Sequence, residues 1–265
     1  MKILICIKQV PEITDVTINP ETGTLMREGV ASILNPFCEY AMEAALGLKR
    51  QRRDIELVAI SMGPPQAGSA LMRCLEMGAD RATLLSDARF AGSDTWATAL
   101  TLAEAIKRIE GDFDLIIVGK QAIDGDTAQV GPELAEILGL PGIMYAVSVE
   151  LALDKKRARV KREVENGYEI VEMRLPGLVS ISKGPMIRSV SSFQEILDAR
   201  KKELRVLSAS DLELDQDKLG LHGSPTQVVE IFPPRVKARG ELIDGSDAET
   251  ATEKTISFLR EKRFI

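Results

Sequence analysis

Histidine is almost missing from this chain of 265 residues; His222 is the single one. A Ser-His-Asp triad would have to use it, and no nucleophile elbow stands near it. Cysteine is scarce as well. Cys6, Cys38 and Cys74 are odd in number, form no Cys-x-x-Cys and match no zinc spacing. They read as reduced thiols, mostly buried, in a reducing compartment. Positive charge is not in excess: 34 Lys and Arg face 40 Asp and Glu. That balance gives no basic patch for a nucleic acid. Aromatic residues make up 4 %, so the core has to be aliphatic. No apolar run approaches the roughly 18 residues of a membrane span. The run Ile3–Ile7 is too short for a signal peptide and has no small-residue cleavage site after it. A cytoplasmic protein is expected. Neither Gly-x-Gly-x-x-Gly after the first strand nor a Gly-x4-Gly-Lys-Ser/Thr loop occurs. No residue stands out as a catalytic acid, base, nucleophile or metal ligand.

What is present is alternation. Ile3–Ile7, residues 55–62, 81–85 and 114–119 are short apolar runs, as expected of strands buried on both faces. Between them, residues from Pro36, 66–77 and 94–109 have helical periodicity. Asn35-Pro36 opens the first helix, with Asn as N-cap and Pro at the first helical position. Phe37, Tyr40, Ala41, Ala44, Ala45 and Leu48 form its apolar stripe, and Glu39, Glu43 and Arg50 its opposite face. Gly78 stands where a helix end needs a left-handed residue. Asn19-Pro20-Glu21-Thr22-Gly23 suggests a hairpin excursion before the first helix. This order predicts an α/β fold with a doubly wound, mostly parallel, Rossmann-like sheet.

After residue 142 strands are expected at 143–150, 157–165, 168–174 and 178–182, forming an antiparallel extension. Asn166-Gly167 reads as a two-residue turn, which would set Lys161 opposite Glu172. A helix near 193–203 ends in Arg200-Lys201-Lys202, a solvated helix end. An irregular stretch over 208–251 and a helix at about 250–262 follow. Val228, Val229, Ile231 and Phe232 are apolar within that stretch and need cover. Residues 1–207 therefore read as the α/β domain and 208–265 as a partner-wrapping C-terminal arm.

Ligands of open α/β sheets bind beyond the carboxyl ends of the strands. Those ends carry Lys8-Gln9-Val10, Met62-Gly63-Pro64 and Gly119-Lys120-Gln121. The third leads into Ala122-Ile123-Asp124-Gly125-Asp126-Thr127-Ala128-Gln129-Val130-Gly131-Pro132 and then a helix. Amides at a helix start hold phosphate without a cation. Asp124 and Asp126 would repel a phosphate they faced, and fit better as caps, ribose acceptors or loop braces. The other reading of this loop is a plain βα turn with an Asp or Thr cap.

The chain resembles, over nearly its full length, the beta subunit of electron-transfer flavoproteins. The segments that carry the likeness are Ile7-Lys8-Gln9-Val10-Pro11, Leu34–Glu39, Met62-Gly63-Pro64 with Met77-Gly78-Ala79-Asp80, and Gly119–Asp124. The most specific is Arg162-x-x-Glu165-Asn166-Gly167-x-Glu169-x-Val171-x4-Pro176-x-Leu178-Val179, in which Asn166 replaces the usual acid or Gly. The resemblance implies a heterodimer with an alpha subunit that holds the electron-carrying FAD. It implies a nucleotide site on this chain at Cys6, Asn35, Pro36, Phe37, Cys38, Met62, Gly119, Lys120, Gln121, Ala122, Ile123, Asp124, Gly125, Asp126, Thr127, Ala128, Gln129 and Val130, with the phosphate on the last three. It also implies that 191–203 docks a partner dehydrogenase through Phe193, with Ile196 and Leu197 beside it.

Ordinary family members hold AMP there. The loop Asp124-Gly125-Asp126-Thr127, with Gly223-Ser224-Pro225-Thr226-Gln227, looks like the electron-bifurcating members, which hold a second FAD. In those relatives NADH reduces the second FAD. One electron goes to ferredoxin or flavodoxin and the other, through the alpha-subunit FAD, to an acyl-CoA dehydrogenase-type partner. The alternatives are an AMP-bearing carrier and a stand-alone nucleotide-binding regulatory module.

Overall fold

Strands apolar on both faces can be buried only between two layers of helices, and the chain follows that rule. The computed structural model describes residues 1–12, 31–152, 156–182, 190–229, 240 and 242–265. The elements in chain order are β1 (Lys2–Cys6), β2 (Gln9–Pro11), β3 (Ser32–Leu34), α1 (Pro36–Gln51), β4 (Glu56–Met62), α2 (Gly68–Met77), β5 (Arg81–Leu85) and α3 (Thr95–Ala105). There follow β6 (Leu115–Gly119), α4 (Val130–Leu138), β7 (Gly142–Leu151), β8 (Arg157–Val164), β9 (Gly167–Arg174), β10 (Gly177–Ile181), α5 (Phe193–Ala199), β11 (Leu204–Leu207) and α6 (Ala248–Glu261).

The main sheet has the order β11-β5-β4-β1-β6-β10-β7-β8-β9. It is parallel from β11 to β7; β8 pairs antiparallel with β7 and β9 antiparallel with β8, so β8 alone runs against the other strands. Side chains alternate between its faces. Ile3, Ile5, Leu57, Leu115 and Ile117 pack in one core with Ala41, Met42, Ala45, Leu71 and Leu75 from α1 and α2. Leu4, Val58, Ile60, Ile116 and Val118 pack in the other with Leu102, Ala103, Leu134 and Ala135 from α3 and α4. The sheet is thus doubly wound. Ile3, Leu4 and Ile5 are fully buried, and each such side chain contributes about 1.5–3 kcal/mol relative to exposure. All three cysteines are free and buried, as expected. Gly78 ends α2 with φ 127, where a side chain would be strained.

Several expectations need correction. The strand at 177–181 does not join an antiparallel extension; β10 inserts between β6 and β7 and is parallel to both. The hairpin turn is Glu165-Asn166, one residue earlier than read, because Val164 pairs with Gly167. Lys161 therefore faces Ile170, and Glu172 faces Arg159. The helix read to 203 stops at Ala199, and a short parallel strand, β11, follows at the sheet edge. Lys202 is not a free helix end: its Nζ donates to the Leu75 and Ala79 carbonyls at 2.9 and 2.7 Å. Glu43 is buried rather than exposed, 3.6 Å from Arg50. The helix at 94–109 is α through Ala105 and widens to a π turn over Ile106–Glu110.

Strand β7 has a corner at Tyr145, whose φ is 63. Register irregularities accompany it on both neighbours. Beyond the corner the chain curls toward α1, where Arg52 Nη1 donates to the Ala152 carbonyl at 3.4 Å. Ala158, Val160 and Met173 thereby join the α1-side core.

The first part of the expected arm lies on the α/β body. Ala209, Leu212 and Leu219 are buried in the α3-side core. The Leu221 amide donates to the Ala91 carbonyl at 3.1 Å. Val228, Val229 and Leu242 are exposed, and α6 buries no residue. The hairpin read at 19–23, and Ile231 with Phe232, lie outside the described residues.

Candidate functional site

The carboxyl ends of β1, β4, β6 and β10 share one edge, with Cys6 level with Val118 and Ile181 level with Gly119. Here α1 starts against the end of β6. A side chain on Gly119 would meet the Phe37 carbonyl carbon at 2.7 Å and the Cys38 nitrogen at 3.0 Å. Only glycine allows that approach.

Asn35 sets the loop that follows. Its carbonyl accepts from the Cys38 and Glu39 amides, as an N-cap should, but its side chain caps nothing. The buried amide instead crosses to the β6 loop: Nδ2 donates to the Gln121 carbonyl at 2.8 Å, and Oδ1 accepts from the Ile123 amide at 3.3 Å. Nδ2 also lies 3.3 Å from Cys38 Sγ. That thiol further receives the Lys8 and Gly119 amides; burial raises its pKa and these donors partly offset the rise. Burial and the neighbouring Cys38 push the Cys6 thiol up to about 12. Neither thiol is a nucleophile at neutral pH.

The loop acids are drawn aside. Lys8 Nζ holds both Asp124 oxygens at 2.8 Å, and Gln121 Nε2 donates to Asp126 Oδ1. The Gly125 and Asp126 amides turn back to the Ala122 carbonyl. Asp126 and Ala128 have φ of 55 and 56, and Gln129 returns to the right-handed region at φ −97, ψ −33. A left-handed residue followed by a right-handed one makes a concave row of N–H groups that suits an anion. The amides of Ala128, Gln129 and Val130 have no acceptor among the described residues. They open onto the N-terminus of the nine-residue α4, whose dipole adds to the attraction. Lys120 faces the Tyr145 ring, 5.4 Å from its centroid. Gly125 has open space around it.

The residues named from the sequence thus fall into one assembly: Asn35 to Cys38, Gly119 to Val130 and Cys6. Met62 shares the edge at the end of β4, one strand beyond β1. Phe193, Ile196 and Leu197 lie apart, on α5. Ser192 and Glu195 close a capping box there, and Ala199 is buried. Phe193 is 75 % exposed and Leu197, one turn on, 37 %, while Ile196 is half-buried.

Beside the loop stands a second set of contacts that the sequence did not reveal. Asp94 caps α3 by accepting from the Ala97 amide at 3.0 Å. Its other oxygen accepts from the Thr226 amide and hydroxyl at 2.9 and 2.7 Å. Its own amide donates to Ser224 Oγ at 2.8 Å. Thr95 Oγ1 donates to Glu133 Oε1, one turn into α4, at 3.0 Å. The clue was the Gly223–Gln227 segment, which carried no marker of where it would dock. Among the described residues no His, Cys, Asp and Glu group could hold a metal, and no helix is long and apolar enough to cross a membrane.

Comparison with known proteins places the chain in a family. Residues 22–212 match the family described as "Electron transfer flavoprotein domain". The chain is 44 % identical, over the whole of both chains, to the caffeyl-CoA reductase-Etf complex subunit CarD of Acetobacterium woodii. It is equally similar, over the same span, to the electron transfer flavoprotein subunit beta of Clostridium acetobutylicum. To the protein FixA of Azorhizobium caulinodans it is 40 % identical over 95 % of this chain and 91 % of that one. The chain belongs to the electron transfer flavoprotein family, on the side of its beta subunits.

Proposed function

We propose that this chain binds FAD at the Gly119–Val130 loop and serves as the NADH-oxidising, electron-bifurcating half of a heterodimer with an alpha-type subunit. The observation that carries the reading is the row of unclaimed amides at Ala128–Val130, with both loop acids tied away from it. A diphosphate fits such a row without a cationic side chain. The open space at Gly125 leaves the approach free for a ligand longer than a mononucleotide. The similarity to a subunit of a caffeyl-CoA reductase-Etf complex supports the same choice.

Bound there, a flavin would supply hydride acceptance from NADH and its division into two one-electron transfers, one to a ferredoxin- or flavodoxin-type acceptor and one through the alpha-subunit FAD to an acyl-CoA dehydrogenase-type partner. The chain's own residues bind and orient. Asn35 fixes Gln121 and Ile123, Lys8 holds Asp124 away from the phosphates, and the α4 amides neutralise them. No side chain acts as acid or base, as suits a protein whose cofactor carries the chemistry. The Phe193 face of α5 docks the dehydrogenase, and the apolar residues beyond 226 cover the alpha subunit. Three protonated, buried thiols suit the cytoplasm.

The test is to co-purify the chain with its alpha-type partner, denature the complex and identify the released nucleotides. Two FAD per heterodimer are expected. One FAD with one AMP would replace bifurcation by simple carriage, and ATP or no nucleotide would overturn the site.

A further inference from the structure

Glu133 has one carboxylate oxygen with a partner and one without. Oε1 accepts from Thr95. Oε2 is sealed from solvent and has no donor within reach. The residue lies in the first turn of α4, the turn that follows the Ala128–Val130 amides, and its side chain reaches across to the start of α3. Glu133 as a whole is half-buried, but a carboxylate with one oxygen sealed and unpartnered is costly when charged.

The surrounding groups add to that cost. At its N-terminus α3 presents Asp94, an acid of the same sign. Its other acid, Glu104, sits at the far end with Lys107 and Arg108. No ionisable residue occurs on β10. On β7 there are Tyr145, whose ring faces Lys120, and Glu150. The 224–226 segment brings the neutral Ser224 and Thr226. The α4 helix itself adds Glu136, which is exposed. Burial, with Asp94, already holds the Glu133 carboxyl above its ordinary value, although the Thr95 hydroxyl works against the rise.

We propose that Glu133 takes up a proton when a phosphate-bearing nucleotide occupies the Ala128–Val130 cradle, so that nucleotide binding to this chain is proton-linked. The inference rests on the nucleotide site proposed above. A diphosphate one helical turn away adds negative charge to a place that Asp94 already makes negative. Neutralising Oε2 with a solvent proton removes both the repulsion and the unsatisfied charge. Glu133 is then a positioning residue: it lets α3, with the 224–226 segment tied to Asp94, stay closed against a charged ligand.

Linkage fixes the sign. If the bound-state pKa lies above the free-state one, affinity is full at low pH. It weakens about tenfold per pH unit between the two values, and levels off above the higher. The experiment is calorimetric titration of the nucleotide-free heterodimer with FAD, whose diphosphate diester has no proton to lose in this range. Two buffers of different ionisation enthalpy are used from about pH 5 to about pH 9, and the alpha-type subunit titrated alone subtracts its own site. Uptake approaching one proton is expected, with the tenfold slope, and Glu133→Gln should abolish both. Infrared difference spectra of the wild-type complex should gain a protonated-carboxyl band on binding, a readout available even if the variant folds poorly. Binding with no proton uptake, or with the same uptake in Glu133→Gln, overturns the linkage alone. No binding of FAD or AMP overturns the site and the linkage with it.

Discussion

Asn35 shows how much one side chain can hold without capping its own helix. It joins the start of α1 to the β6 loop across 86 residues of sequence. Asn35→Ala would leave the Gln121 carbonyl and the Ile123 amide unpaired in a partly buried place. The expected loss is about 1–3 kcal/mol, seen in thermal unfolding and as faster hydrogen exchange at the Ile123 amide. Unchanged exchange there would mean that the loop holds its shape unaided. From the sequence the Asn-Pro pair could be recognised as a helix start, because Pro at the first position is a local signal. The reach of the side chain was hidden, since its partners come from a strand whose position is set by the whole sheet. For the same reason the α4 amides could be expected as donors, whereas the Thr95–Glu133 bond, between two helix starts, could not.

At the scale of elements, the strands buried on both faces were legible because a continuous apolar run leaves few alternatives. β11 was not: Leu-Arg-Val-Leu is too short and too exposed to show a period, and only the free edge of β5 makes it a strand. The hairpin register slipped by one residue because Gly167, judged by turn preference alone, looked like the turn itself. In the ladder it pairs, and the residues before it turn. Helix α5 begins at Phe193, where the sequence reading put it, and the Ser192–Glu195 capping box holds that start. It presents Phe193 and Leu197 on one exposed face. Phe193→Ala should weaken binding to the proposed dehydrogenase-type partner by at least about 2 kcal/mol, roughly thirtyfold, if it is the anchor of that contact. Surface-binding measurements with the reconstituted heterodimer would show this, and an unchanged affinity would move the docking face elsewhere.

For the molecule as a whole, the segment after β11 is fastened to the body by carboxylates. Asp87 accepts from the Arg89 guanidinium and amide and from the Ala209 amide. These hold it well below the usual carboxylate range, the Arg89 side chain contributing most. A depressed folded-state pKa stabilises above the unfolded value, about 3.9, and the benefit fades as pH falls below it. Asp87→Asn should therefore flatten the acid limb of the stability curve below about pH 4 and speed exchange at the Ala209 amide at neutral pH. A limb of unchanged slope would assign acid unfolding to other groups. The placement of β10 has a consequence for biosynthesis. Because this strand fills the slot between β6 and β7 yet follows both in sequence, a chain emerging from the ribosome displays an open edge on β6 until residue 181 has cleared the tunnel. The half of the molecule that carries the Gly119–Val130 loop is finished late, and that bare edge is where a stalled nascent chain would be caught by chaperones or by its neighbours on a polysome.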